Sequence, residues 1–145
     1  MGYTRYWHRI REIPQPTFQA IVGDFMKVLP ALQVRLAGGD GTGDPCLTAE
    51  EVIFNGVGDD AHETFLFPRV YCLRQGSIWG ALEFQYCKTA RKPYDLVVAA
   101  FLVIAKHHLG DNLHVTSDRG PSGLAEAISH CSAVLGYGDD FRLDG

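Results

Sequence analysis

The 145-residue sequence lacks most of the features that sort a protein quickly. Cysteine is scarce: four residues, at 46, 72, 87 and 131, with no C-x-x-C pair. Cys72 and Cys87 fall in strand-like runs and Cys131 on the apolar side of a helical pattern, so buried, reduced thiols are expected. No apolar run approaches the roughly 18 residues of a membrane span. The start, Met1-Gly2-Tyr3-Thr4-Arg5-Tyr6-Trp7, has no apolar leader core and no serine or threonine at position six for myristoylation. A cytoplasmic protein with no membrane partner is the expectation. Basic charge is also short, 13 Lys and Arg against 17 Asp and Glu for a net charge of −4, which argues against general nucleic-acid binding. Neither a phosphate-loop signature, a dinucleotide fingerprint, H-E-x-x-H nor G-x-S-x-G occurs, so no cofactor, metal site or nucleophile elbow is expected. Repeats, linkers and low-complexity tracts are missing too. One domain over residues 1–145 follows.

What remains is an ordinary globular composition, 46% hydrophobic and 21% charged, with a pattern that reads as α+β. Residues 3–8 form an opening strand. Pro14 and Pro16 start a helix whose apolar stripe is Phe18, Ile21, Val22, Phe25, Met26, Leu29 and Leu32, with Pro30 ending or kinking its last turn. A short β-like piece at 33–37 leads into a glycine-rich loop, 38–43. Strands are expected at 51–54, 63–67, 69–72 and 78–88, with turns at Asn55-Gly56 and Gln75-Gly76. In the last strand Ile78, Leu82, Phe84 and Tyr86 share one face, and Trp79, Ala81, Glu83, Gln85 and Cys87 the other. A second helix, 93–109, is apolar all round from Leu96 to Ala105. It reads as the longest helix and as buried between layers, with Lys106, His107 and His108 at its negative end. A strand at 112–116, a third helix capped by Ser122 with Leu124, Ile128, Cys131, Val134 and Leu135 inward, and a last short strand at 141–143 complete the order βα-ββββ-α-β-α-β. The strands, five or six in all, are expected in one mostly antiparallel sheet.

Three groups of residues could carry chemistry. The strongest is the run from Lys88 to Asp95 at the start of the buried helix. Lys88, Arg91 and Lys92 stand where the helix dipole is already positive, an arrangement that asks for internal carboxylates or an anionic ligand. Thr89 offers a hydroxyl and Tyr94 a ring or hydroxyl to the same spot. The second is the aromatic–basic opening, with Tyr3, Arg5 and Trp7 on one face and Thr4, Tyr6 and His8 on the other. Tyr6, Trp7 or Tyr94 would stack on a base while the cations meet phosphate. The third is the set His62, Glu63 and Glu83. The two glutamates could form an inward carboxylate pair for acid–base work, or be the partners of Arg91 or Lys88. His107, His108 and His114 do not suggest a metal, because adjacent helix residues point about 100° apart.

The segments Met1-Gly2-Tyr3-Thr4, Tyr6-Trp7, Phe54-Asn55-Gly56, His62-Glu63-Thr64-Phe65, the run from Cys87 to Asp95, the run from Ile104 to Gly110, and Leu135-Gly136-Tyr137-Gly138 resemble a family of small bacterial and phage proteins. The resemblance spans nearly the whole chain. It implies a small cytoplasmic protein and admits a role in host defence or its evasion, and it assigns no chemistry. With no catalytic set in view, the expected function is non-enzymatic binding or sequestration of a small anionic, nucleotide-like ligand, such as a cyclic-nucleotide signal. Lys88, Thr89, Arg91, Lys92, Tyr94, Arg5, Tyr6 and Trp7 would form the site. The alternatives are a small enzyme on a phosphorylated substrate, using Glu63, Glu83 or His62, and a protein–protein interaction module with no small-molecule site. Homo-oligomerisation is compatible with each.

Overall fold

Pro14 and Pro16 flank the first helical position, where a missing N–H costs nothing, and helix α1 runs over Gln15–Leu32. Pro30 lies inside its last turn, and the helix stops two residues later as Gln33 turns left-handed. The computed structural model describes residues 3–71, 82–117 and 123–144. Within them, strand β1 (Thr4–Ile10) precedes α1, and β2 (Cys46–Leu47), β3 (Glu51–Phe54), β4 (Phe65–Pro68) and β5 (Leu82–Lys88) follow. Helix α2 (Asp95–Leu109), strand β6 (Leu113–Ser117) and helix α3 (Leu124–Leu135) end the order.

The α+β class and the three helices are as the sequence predicts, but the strands divide into two antiparallel sheets rather than one, ordered β5-β1-β6 and β2-β3-β4. Of the expected piece at 33–37, Ala37 alone pairs, bridging to Asn55. The expected strand at 141–143 is instead a tail against β6, anchored by the Asp144 N–H donating to the Val115 carbonyl at 2.8 Å. The turn at 75–76, the start of the predicted strand 78–88, the Ser122 cap and Cys72 lie outside the described residues.

Helix α2 is the buried one, with every residue from Val97 to Ala105 inaccessible, although at 15 residues it is shorter than α1 at 18. Its Phe101 ring meets Phe25 of α1 and Phe65 and Phe67 of β4 at 4.9–5.2 Å. Trp7 of β1 extends the cluster, 5.4 Å from Phe65 and 6.1 Å from Phe67. Truncating Phe101 to alanine would cost about 3–5 kcal/mol, as for other buried rings. The helix stripes are mostly as read, with Phe18, Ile21, Val22, Phe25 and Leu32 of α1 buried and Leu29, Ile128 and Leu135 partly buried against the core, and they differ at a few positions. In α1 Val28 is buried and Met26 exposed, and in α3 the inward line is Leu124, Ala127 and Cys131, with Val134 outside.

The inner face of β5-β1-β6 is unusual. Arg5, Trp7 and Arg9 of β1 and Glu83, Gln85 and Cys87 of β5 all point into the molecule. Their partners explain it. Arg9 donates to the carbonyls of Pro68 and Arg69, and Gln85 donates to Leu66 O at 3.0 Å while accepting from Trp7 Nε1 at 3.2 Å. These polar side chains stitch the first sheet to the edge of the second, satisfying backbone groups that would otherwise be buried without partners. Burial lowers the Arg9 guanidinium to about 10, still well above neutrality.

A cleft at the start of the buried helix

The turn that launches α2 is held in an uncommon conformation. Ala90 and Arg91 are both left-handed, with φ of 53° and 60°, and the Lys92 N–H closes the turn on Thr89 O at 3.0 Å. A left-handed non-glycine residue costs about 1–3 kcal/mol and persists only where its surroundings over-determine it. Here they do. The Thr89 and Ala90 N–H groups both donate to Tyr3 O, at 2.9 and 3.1 Å, and the Thr89 hydroxyl donates to Asp95 Oδ1 at 2.7 Å. Asp95 also receives Arg5 Nε and Nη2, each at 2.9 Å.

A cleft of about 240 Å³ opens over this ion pair, lined by Tyr3, Arg91, Lys92, Pro93, Asp95, Leu96, Gly123 and Glu126. Gly123 is required there, since it has a φ of +79° and a β-carbon would come within 3.1 Å of Arg5 Nη2. The guanidinium of exposed Arg91 sits 5.2 Å above the Tyr3 ring. Neither Arg91 nor Lys92 forms an ion pair with any described residue.

The structure distributes the predicted site residues in three directions. Arg91 and Lys92 line the cleft, with Arg5 and Thr89 beneath it, fully buried and committed to Asp95. Trp7 is 1% exposed and belongs to the core. Tyr94 is buried, and its hydroxyl donates to Glu63 O at 2.6 Å. Lys88 and Tyr6 lie on the opposite face of the sheet from Arg5 (Thr4 is opposite Lys88), so Lys88 stays apart, whereas Arg5 and Arg91 both approach the Tyr3 ring, at 5.0 and 5.2 Å. The free helix N–H groups expected at this end are already used: Asp95, Leu96 and Val97 donate to Lys92, Pro93 and Tyr94 carbonyls. Any anion in the cleft would therefore meet side chains, not the helix backbone.

Glu63 and Glu83 do not form a carboxylate pair. Glu83 is buried against Arg11 at 3.2 Å. Glu63 precedes β4 and is exposed, and its Oε1 accepts the Lys88 N–H at 2.7 Å while its own N–H meets Lys88 O at 3.2 Å. Lys88 and Glu83 are five positions apart on β5, roughly 17 Å in extended chain. His62 presents only its backbone, to both ends of the Asn55 side chain. Asn55 also binds Gly39 O, so the 38–43 loop is pinned to the 55–62 segment and does not reach the cleft.

Sequence reasoning missed a second polar cluster at the far end of α2. Asp24 accepts from the Tyr137 hydroxyl at 2.7 Å and contacts His108 Nε2 at 2.8 Å, while His107 stacks on Tyr137 at 3.6 Å. A cleft of about 370 Å³ adjoins it, lined in part by Lys106, His107, Arg142 and Asp144. Lys106 is spent on the Gly110 and Leu113 carbonyls. The only hint in the sequence was the His107-His108 pair, for which the helix dipole was sufficient reason. No group of three or more metal-ligating side chains occurs among the described residues, and no described helix is long and apolar enough to cross a membrane.

No protein-family model, curated protein or solved structure matches the chain, so the resemblance to bacterial and phage proteins stands on its quoted segments alone.

Proposed function

We propose that the protein binds a small anionic, nucleotide-like ligand in the cleft at the start of α2 without transforming it. The supporting observation is the pair Arg91 and Lys92: two cations without carboxylate partners among the described residues, held at a cleft by a left-handed turn. Strain of this kind concentrates at ligand clamps. Arg91 can grip a phosphate through two parallel donors and Lys92 adds a point charge. Asp95 does not repel the ligand, because Arg5 neutralises it from below. Glu126 on the rim selects against ligands that place negative charge on that side. The catalytic reading gains nothing from the geometry, since Glu63 and Glu83 form no pair and each is engaged elsewhere. Sequestration, the role that the phage resemblance admits, needs binding without turnover.

A thermal-shift screen over nucleotides, cyclic nucleotides and inorganic phosphates tests this. The wild type should gain stability with at least one anion, and an Arg91→Ala, Lys92→Ala variant should lose that gain while keeping its own melting temperature. Recovery of unchanged ligand after long incubation separates binding from catalysis. If no anion distinguishes the two proteins, the proposal is wrong.

A further inference from the structure

Every ring that the sequence offered to a base lies away from the cleft at the start of α2. Trp7 is in the core, Tyr94 is buried with its hydroxyl on Glu63 O, and Tyr6 is on the far face of the sheet. The one aromatic side chain among the described lining residues is Tyr3, which is 2% exposed and already met by the guanidinium groups of Arg5 and Arg91 at 5.0 and 5.2 Å. A base entering here would find no open ring to stack on. Room is short as well: about 240 Å³ falls below the roughly 300–1,000 Å³ usual for drug-sized ligands.

The charges that line the cleft come from different elements. Arg91 and Lys92 stand in the turn before α2, whereas Glu126 belongs to the first turn of α3. The Glu126 side chain is 68% exposed, and its one ion-pair contact among the described residues is His130 Nε2 at 3.9 Å, beyond hydrogen-bond reach. The α3 dipole favours an acid at that position but leaves its oxygens unused. A carboxylate only accepts hydrogen bonds, so beside the cations it repels a second phosphate and attracts hydroxyl groups. Pro93 and Leu96 add an apolar side to the same cleft.

Resting on the reading of this cleft as an anion site, we infer that its ligand class is a phosphorylated sugar, gripped at the phosphate by Arg91 and Lys92 and read at its hydroxyls by Glu126, with the base of any nucleotide left in solvent. A carboxylate that accepts a ribose hydroxyl is the device by which dinucleotide-binding folds recognise the sugar. Glu126 is then the residue that sets specificity: it separates a sugar phosphate from a bare phosphate, and a ribose from a deoxyribose. Base identity has no reader among the described lining residues.

Thermal-shift titrations with defined phosphates test this. Ribose 5-phosphate and the 5′-monophosphates of adenosine, guanosine and uridine should stabilise the wild type at similar concentrations. Inorganic phosphate and 2′-deoxyadenosine 5′-monophosphate should need about tenfold more, the scale of one lost hydrogen bond to a charged group. Glu126→Ala should bring adenosine 5′-monophosphate down to that weaker level and leave the response to inorganic phosphate intact. Glu126 is exposed, so the variant keeps the wild-type melt. A strong preference for one base, equal responses to the ribose and deoxyribose forms, or a Glu126→Ala change that moves nucleotide and phosphate alike overturns the inference and leaves the anion site standing. If neither inorganic phosphate nor any sugar phosphate stabilises the wild type, the anion reading itself is wrong and the inference falls with it.

Discussion

Arg5 and Asp95 form a two-bond ion pair across 90 residues of sequence, with the arginine fully buried and Asp95 14% exposed. It ties the central strand β1 to the first turn of α2 and floors the cleft. Removing one member leaves an uncompensated charge in a low-dielectric site, which costs about 3–5 kcal/mol. Asp95→Ala and Arg5→Leu should each destabilise by that amount in urea melts. The double variant should recover part of the loss, because the orphaned charge is gone. Single losses below about 1 kcal/mol would show that solvent reaches the pair and screens it.

Local signals carried the elements, and distant partners decided the faces. The period of α1, the uninterrupted apolar run of α2 and the alternation in β5 are written in neighbouring residues. Which face of β5 turns inward is not. Counting hydrophobicity, Phe84 and Tyr86 outrank Glu83 and Gln85; they stay outside because Gln85 and Arg9 reach carbonyls of Leu66, Pro68 and Arg69 in another sheet. The same limit applies to the site. The cations near α2 were legible, but Arg5 as the partner of Asp95 was not, and neither was the union of Asp24, His108 and Tyr137 from three separate segments.

Asp24 supplies a pH signature. Burial alone would raise its carboxyl, but the hydrogen bond from Tyr137, the contact with His108 and the nearby Lys27 outweigh it and hold the group below its ordinary value. A carboxylate depressed in the folded state contributes stability above its unfolded value and loses it as pH falls through the folded one. The stability gap between wild type and Asp24→Asn should therefore be full at pH 7, on the order of 1 kcal/mol for a partly exposed charged hydrogen bond. It should shrink below about pH 4, near the unfolded carboxylate value. A gap that is flat from pH 7 to pH 3 would mean that the charge of Asp24 contributes nothing. Thermal melts across that range provide the measurement.

The thiols should divide by burial. Desolvation pushes Cys87 up to about 12 and Cys131 up to about 11, and both are fully enclosed, whereas Cys46 is half-exposed. Since the thiolate is the reactive form, iodoacetamide at pH 8 should modify Cys46 in the native protein. Cys87 and Cys131 should react only after denaturation, as peptide mass mapping would show. Native labelling of Cys87 would mean that β5 opens locally, because its thiol lies between Glu63 O and the core.

The left-handed turn separates stability from binding. Glycine adopts the conformation of Ala90 without the steric cost of a β-carbon, so Ala90→Gly should stabilise the fold by up to about 1 kcal/mol, or roughly 2–4 °C in Tm for a chain of this size. If the turn exists to aim Arg91 and Lys92, the looser backbone of the glycine variant should weaken the anion-dependent thermal shift while the unliganded Tm rises. A rise in Tm with an unchanged anion response would assign the strain to chain reversal between β5 and α2 alone. A fall in Tm would show that the Ala90 side chain makes contacts worth more than the strain it bears. Opposed changes in stability and binding, produced by removing one methyl group, are what a turn built for a ligand requires.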